Sequence, residues 1–224
     1  MVSSFNFDLV ADEYDDYYMS APGQQIDAEE KKLVSDIIGR IVKPGPMVEI
    51  GSGTGHWTSF FADKGFQVTG IEASEKMIDK AKQKNIPYAE FIHASATDLL
   101  FPNKSVPFVA MITALEFIKK PADVIDEINR ILIPGGYVLI AGLNLFSRLG
   151  ERRMDDPVLK YANFFTPERL KEILFGFGSV LEMQSCVFFN EDMTLMGDAQ
   201  KAKLDNSERL YSGAFIAGLA RKED

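Results

Sequence analysis

An α/β fold with a doubly wound, mostly parallel seven-stranded sheet and helices on both faces is what this sequence predicts, and three observations carry it. Seven short apolar runs are spread between residues 47 and 220, most of them separated by stretches with helical spacing or helix caps, which is the pattern of β-α-β units joined by right-handed crossovers. The first run, Met47 to Ile50, opens directly into Gly51-Ser52-Gly53-Thr54-Gly55 and then into helix-compatible residues. A strand, a glycine-rich turn and a helix in that order let backbone N–H groups approach a ligand with no Cβ in the way. The 224 residues, 46% hydrophobic and 25% charged, are ordinary for one globular domain with a full core.

The elements follow in chain order. Met1 to Ala21 has no apolar period but holds Asp12-Glu13-Tyr14-Asp15-Asp16-Tyr17-Tyr18. From Gln24 to Val42, Leu33, Val34, Ile37, Ile38 and Ile41 recur at helical spacing and predict an amphipathic helix packed on the sheet. After the glycine turn, Thr58 to Lys64 is a crossover helix that Gly65 stops, and Gln67 to Ile71 is the second strand. Ser74 caps a helix over Glu75 to Lys84, with Met77, Ile78 and Ala81 facing inward. Ala89 to Ala94 and Phe108 to Thr113 are the third and fourth strands, the latter apolar throughout as a doubly covered strand should be. Pro121 to Leu132 is a helix, Pro134-Gly135-Gly136 a turn, and Tyr137 to Ala141 the fifth strand. Residues 143–165 break the alternation; their Phe146, Tyr161, Phe164 and Phe165, with Arg148, Arg152 and Arg153, read either as a wall over a substrate pocket or as a small packing helix. Thr166-Pro167-Glu168 starts another helix, Gly178 to Phe189 and Ser212 to Ala220 are the last strands, and Asn190 to Tyr211 reads as a polar, mobile connection. Met183, Met193 and Met196 in this region read as shaping an adaptable apolar pocket.

Composition narrows the function classes. With 24 Lys and Arg against 33 Asp and Glu the formal charge is −9, and a surface of that sign repels phosphate backbones. The densest basic group, Lys76, Lys80, Lys82 and Lys84, reads as an ordinary exposed helix face, so a nucleic-acid partner is disfavoured. No apolar run approaches the roughly 20 residues of a membrane span, and the first thirty residues lack a basic region leading into an apolar one, so the expectation is a cytoplasmic protein. Cys186, the single cysteine, reads as a buried structural thiol, and two histidines without paired spacing give a metal site no support.

The glycine turn decides between cofactors. A dinucleotide fingerprint wants a third glycine three positions after the second, and His56 stands there. What is present is Val48-Glu49-Ile50-Gly51-Ser52-Gly53-Thr54-Gly55, then Gly70-Ile71-Glu72-Ala73-Ser74, where a carboxylate at the end of the second strand can accept from both hydroxyls of a ribose. With Arg130-Ile131-Leu132-Ile133-Pro134-Gly135-Gly136-Tyr137-Val138-Leu139-Ile140, these pieces resemble the class I S-adenosylmethionine (SAM) dependent methyltransferases, in particular the small-molecule group that includes the ubiquinone and menaquinone methyltransferases. The resemblance runs from about Tyr14 to Lys222.

The resemblance implies a Rossmann-like fold with an antiparallel hairpin at the C-terminal edge, SAM as cofactor, and a set of contacts. Gly51, Gly53 and Gly55 would cradle the methionine moiety, with Thr113 beside it; Glu72 and Ala73 would take the ribose side; Ser95 and Ala96 would read the adenine. Glu49 would orient the turn through backbone N–H groups or reach the SAM amino group through water. Met77 lies against adenine or is a plain core residue, and Tyr14 and Tyr17 close the site as a lid or belong to a solvated arm. Two positions depart from the family pattern: Ser95 stands where an aspartate usually meets the adenine amino group, leaving Asp98 as an alternative contact or a loop cap, and Pro107 replaces an aspartate before the fourth strand. His56, Glu116 or Tyr14 could assist an acceptor that must lose a proton; His56 otherwise is a spacer, Glu116 a structural or solvated charge, and His93 a structural residue. The segments then read as an N-terminal lid and helix (1–43), a SAM-binding core (44–142), a substrate-covering insertion (143–165) and a C-terminal helix with edge strands (166–224) of a single domain. The expected activity is methyl transfer to a small, apolar or aromatic acceptor. The rivals are a non-catalytic SAM-binding or interaction protein and an NAD-dependent oxidoreductase.

Overall fold

The computed structural model describes residues 5–39 and 41–223. Its elements in chain order are α1 (Asp16–Met19), α2 (Ala21–Ile38), β1 (Pro46–Ile50), α3 (His56–Asp63), β2 (Gln67–Glu72), α4 (Glu75–Gln83), β3 (Ala89–His93), β4 (Val106–Ile112), α5 (Pro121–Ile131), β5 (Leu132–Leu143), α6 (Arg148–Arg152), α7 (Pro167–Phe175), β6 (Gly178–Cys186), α8 (Asp198–Lys201), α9 (Asn206–Ser212) and β7 (Phe215–Lys222). The seven strands form one sheet in the order β3-β2-β1-β4-β5-β7-β6. Strands β1 to β5 pair in parallel, while β7 runs antiparallel to both β5 and β6. This is the Rossmann-like arrangement, and the strand order reverses between β1 and β4, the place where open α/β sheets bind ligands.

Successive residues of the central strands feed opposite faces, as the two-residue period of a strand requires. Met47, Phe108, Leu139 and Phe215 join α2 and α3 in one core; Val48, Val109, Ile140 and Ile216 join α5 and α7 in the other. Each helix begins where local chemistry puts it. The Ser20 hydroxyl accepts the Gly23 N–H and starts α2 earlier than the apolar period alone suggests. Gly55, at φ +81°, is the left-handed residue that lets α3 start at His56. The Pro134-Gly135-Gly136 stretch is not a break before the fifth strand but an irregularity within it, since Val106 pairs with Leu132 and Phe108 already pairs with Tyr137.

Two regions differ from the sequence reading. Residues 190–211 hold α8 and α9, not an irregular connection; Asp205 and Glu208 cap α9 reciprocally, and Lys201 of α8 pairs with Glu29 of α2. Residues 143–165 adopt the packing alternative. Leu143, Ala162 and Phe164 make a small core with Leu145, Leu149 and Leu159, and Asn144, fully buried, donates to the carbonyls of Leu210, Tyr211 and Gly213. Among the described residues no helix is long and apolar enough to cross a membrane, and no group of three or more His, Cys, Asp or Glu could hold a metal ion.

Candidate active site

The carboxyl ends of β1, β2 and β4 open onto a cavity of about 360 Å³, within the size range of small-molecule sites. Its floor is the glycine turn. The N–H groups of Gly51 and Ser52 donate to the Ile71 carbonyl, which bends the chain off β1, and Gly51, at φ +75°, passes so close to Ala114 that a Cβ would lie 2.5 Å from the alanine methyl. Gly53 is also left-handed, at φ +53°, but a Cβ there would meet nothing within 4 Å. That space belongs to the cavity.

Glu72, the last residue of β2, locks the turn. One carboxylate oxygen accepts the Gly53 N–H at 2.9 Å; the other accepts those of Ala73 at 2.7 Å and Ser74 at 2.8 Å. Three of about four acceptor positions are thus used by the backbone, and Glu72 both shapes the turn and faces the cavity. Glu49 lies on the opposite wall, 2% exposed. Its carboxylate takes the Thr58 hydroxyl and no backbone N–H of the turn. Burial pushes its carboxyl up to about 8, against the Thr58 bond. The Ser52 hydroxyl, also on the wall, is buried without a partner among the described residues. Thr113 at the end of β4 has φ +45°, sparsely populated for a β-branched residue, and its N–H bonds to the Ala141 carbonyl.

The roof is the acidic N-terminal arm. Phe5, Phe7, Tyr14 and Tyr18 line the cavity, and Phe7 meets Phe117, beyond β4, edge to face at 5.0 Å. Three aspartates tie the arm down. Asp8 accepts the Ser74 hydroxyl and the Lys76 N–H, Asp12 pairs with Lys80 at 2.7 Å, and Asp15 bridges Lys84 at 2.7 Å and the Thr54 hydroxyl of the glycine turn at 2.6 Å. The basic face of α4 is therefore the arm's docking strip. On the other side the Tyr18 ring stacks on His56 at 3.5 Å and 11°, with His56 Nε2 held 2.7 Å from Asp27 and 3.0 Å from Lys31.

Comparison with known proteins agrees with this geometry. The methyltransferase-domain family matches residues 48–140. An uncharacterized protein of Methanocaldococcus jannaschii is 29% identical, over 96% of this chain and 98% of that protein. A demethylmenaquinone methyltransferase of Clavibacter sepedonicus is 31% identical over 42% of this chain and 39% of that enzyme, so the chain spans less than half of its length. A crystal structure of a SAM-dependent methyltransferase from Thermotoga maritima, described as a possible histamine N-methyltransferase, superposes with a TM-score of 0.72 over 97% of this chain and 98% of that one, at 21% identity. Residues 48–140 thus match a methyltransferase domain, and the fold is that of solved SAM-dependent methyltransferases.

A methyltransferase domain of this fold implies SAM as cofactor, and the cavity brings together most of the residues the sequence singled out. Tyr14, Glu49, Gly51, Gly53, Glu72, Ala73, Met77, Ala96 and Thr113 all line it. Gly55 does not. A Cβ there would meet Ile86 at 2.9 Å and Phe91 at 3.0 Å, so this glycine serves the packing of α3 rather than the cradle. Ser95 does not either; its hydroxyl is exposed and spent on Thr97 at 2.8 Å, and its carbonyl takes the Asp98 N–H, a local turn that leaves Asp98 exposed as well. Tyr17 is half-exposed and outside the cavity, whereas Tyr14, in the turn before α1, and Tyr18, on α1, both line it. His56 is neither spacer nor free base but the arm's inner anchor, and burial pushes its imidazole below the ordinary value. No residue of 143–165 lines the cavity, and neither do Met183, Met193 and Met196.

What the sequence did not single out is the aromatic roof of Phe5, Phe7, Tyr18 and Phe117, with Trp57 on the wall. The usable signal for Tyr18 is its spacing of four from Tyr14; Phe5 and Phe7 carry none, being placed by the ion pairs downstream. His93 is structural as expected, its Nε2 3.0 Å from the Ala73 carbonyl, and Cys186 is free and buried.

Proposed function

We propose that the protein transfers the methyl group of SAM by in-line displacement to a small, apolar or aromatic acceptor. The observation that supports this most is Gly53: a left-handed glycine with open space where a Cβ would stand, between a carboxylate that fixes it and a buried acid opposite. Gly51 and Gly53 would carry the methionine moiety, with Ser52, whose buried hydroxyl lacks a partner, and Thr113 beside it. Glu72 and Ala73 would take the ribose, and Met77 with Ala96 the adenine, in place of Ser95. Glu49 would face the positive charge of the cofactor.

SAM supplies an already activated methyl on a positive sulfur, so the chain's own work is orientation and exclusion of water. The arm's aromatic roof excludes water, Gly53 gives close approach, and the apolar side of the cavity, with Trp57, Phe117 and Ile118, suits an acceptor of similar character. Thermal-shift titration tests the reading. SAM and S-adenosylhomocysteine should raise the melting temperature and NAD should not, and Gly53→Val should abolish the shift while lowering the unliganded melting temperature, because its side chain enters the cavity's open space but φ +53° is strained for a β-branched residue. A shift by NAD, or unchanged SAM shifts in Gly53→Val and Glu72→Ala alike, would refute it.

A further inference from the structure

We propose that the ring of Phe5 stands in the acceptor subsite of this methyltransferase and that the acceptor is a molecule with a single aromatic ring, which takes its place; this rests on the methyltransferase reading above. Four rings touch in sequence here. Phe117 meets Phe7 at 5.0 Å and 83°, Phe7 meets Phe5 at 5.1 Å and 79°, and Phe5 meets Tyr161 at 5.6 Å and 39°, separations at which aromatic pairs attract. Phe5, Phe7 and Phe117 line the cavity, whereas Tyr161 touches Phe5 and lies outside it.

The two ends of this sequence belong to fixed parts of the fold. Phe117 packs against the small core of Leu143, Ala162 and Phe164, and the Asn163 N–H donates to the Glu116 carbonyl at 2.8 Å, which ties the turn after β4 to the segment that carries Tyr161. Phe7 is pinned as well. Its carbonyl accepts the Val10 N–H at 3.2 Å, and the next residue, Asp8, accepts the Ser74 hydroxyl and the Lys76 N–H. Phe5 lies ahead of these fastenings, the first of which is the Asn6 side chain accepting the Asp8 N–H at 3.1 Å. Among the described residues its main chain makes no hydrogen bond, and its ring is half-buried. What holds Phe5 is contact with two other rings.

Room decides what that ring is for. The cavity, about 360 Å³, is at the small end of the roughly 300–1,000 Å³ over which pockets hold one drug-sized ligand. That is space for the cofactor. The acceptor's nucleophile has to come within about 3 to 3.5 Å of the methyl carbon in the same cavity, so its body takes space from the lining. The glycine turn and Glu72 are locked by hydrogen bonds, whereas Phe5 is held by ring contacts and can yield. A ring entering between Phe7 and Tyr161 remakes both aromatic contacts, which a saturated body of the same size does not. Tyr161, and with it the segment 143–165, then becomes part of the wall.

The test is calorimetric binding of 2-phenylethanol and of its saturated analogue 2-cyclohexylethanol, with and without saturating S-adenosylhomocysteine, to the wild type, Phe5→Ala and the double variant Phe5→Ala/Tyr161→Leu. Phe5→Ala should bind 2-phenylethanol about threefold or more tightly than the wild type, because no ring has to leave first. Adding Tyr161→Leu should remove most of that gain for 2-phenylethanol and less of it for 2-cyclohexylethanol. Unchanged or weaker binding in Phe5→Ala would make Phe5 an ordinary wall residue and overturn the proposal, as would a gain that survives Tyr161→Leu or an equal loss for the two alcohols. A wild type that does not bind S-adenosylhomocysteine would remove the cofactor reading, while the gain in Phe5→Ala, measured without it, would still decide the subsite.

Discussion

Glu49 and Glu72 show how two carboxyls of one type take opposite parts within one cavity. Glu72 is kept for backbone N–H groups, three of which it accepts, and an acceptor so surrounded is a fixed part of the turn. Glu49 has one hydroxyl partner, and burial, with the Glu72 charge adding to it, holds its proton up to about 8. A cation arriving beside it stabilises the carboxylate, so binding of SAM near pH 7 should release up to about one proton. Calorimetry in buffers of different ionisation enthalpy reads this directly. Wild type should show the release, Glu49→Gln should not, and S-adenosylhomocysteine, lacking the sulfonium charge, should show less. Equal proton release in wild type and Glu49→Gln would remove the residue from the site. At this scale the sequence was most legible where a residue type has one geometric use. Gly51 and Gly53 both line the cavity, but Ser95, chosen by likeness to a family pattern, turns its hydroxyl to Thr97 because a serine two residues before a threonine is satisfied locally.

The element that sequence patterning reads worst is the N-terminal arm. It has no apolar period because it is held by charges and rings rather than by a stripe, and those partners lie far along the chain: Asp8 to Ser74, Asp12 to Lys80, Asp15 to Lys84 and Thr54. Conversely, the lysines of α4 look like a solvated face until the arm is laid on them. Exposed ion pairs are individually weak and are screened by salt. Closure of the roof should therefore depend on ionic strength, and S-adenosylhomocysteine affinity should fall by about threefold or more between 0.05 and 0.5 M salt. Asp15→Asn should lower affinity at low salt and flatten that dependence with little change in melting temperature; a salt dependence as steep as wild type in this variant would show that the arm is not latched by these charges. The same reasoning explains α9. Its Asp205-x-x-Glu208 capping box is a readable start signal, obscured by the polar residues around it.

For the whole molecule, the doubly wound sheet was legible because β1, β4 and β5 are buried on both faces and their apolar runs admit no other reading. The antiparallel edge came from family likeness, since nothing in the alternation of Phe215 to Lys222 specifies direction. The three acids held above their ordinary value, Glu30 and Glu49 up to about 8 and Glu116 up to about 7, give the fold a common property. The folded state keeps protons that the unfolded chain has lost, so their cost is absent below about pH 4.5 and grows as pH rises towards 8. Stability should therefore fall between about pH 5 and 8. Urea denaturation across that range should show the decline in wild type and a shallower one in Glu116→Gln. Stability that rises over the same interval would mean that other groups dominate.

The most direct measurement is a crystal structure of the complex with S-adenosylhomocysteine. The account predicts the homocysteine part over Gly51 and Gly53, a ribose hydroxyl on Glu72, the adenine between Met77 and Ala96, and the sulfur turned towards Phe117. An adenosine bound outside this cavity, or a Glu72 that keeps its three backbone bonds and touches no ligand atom, would contradict it.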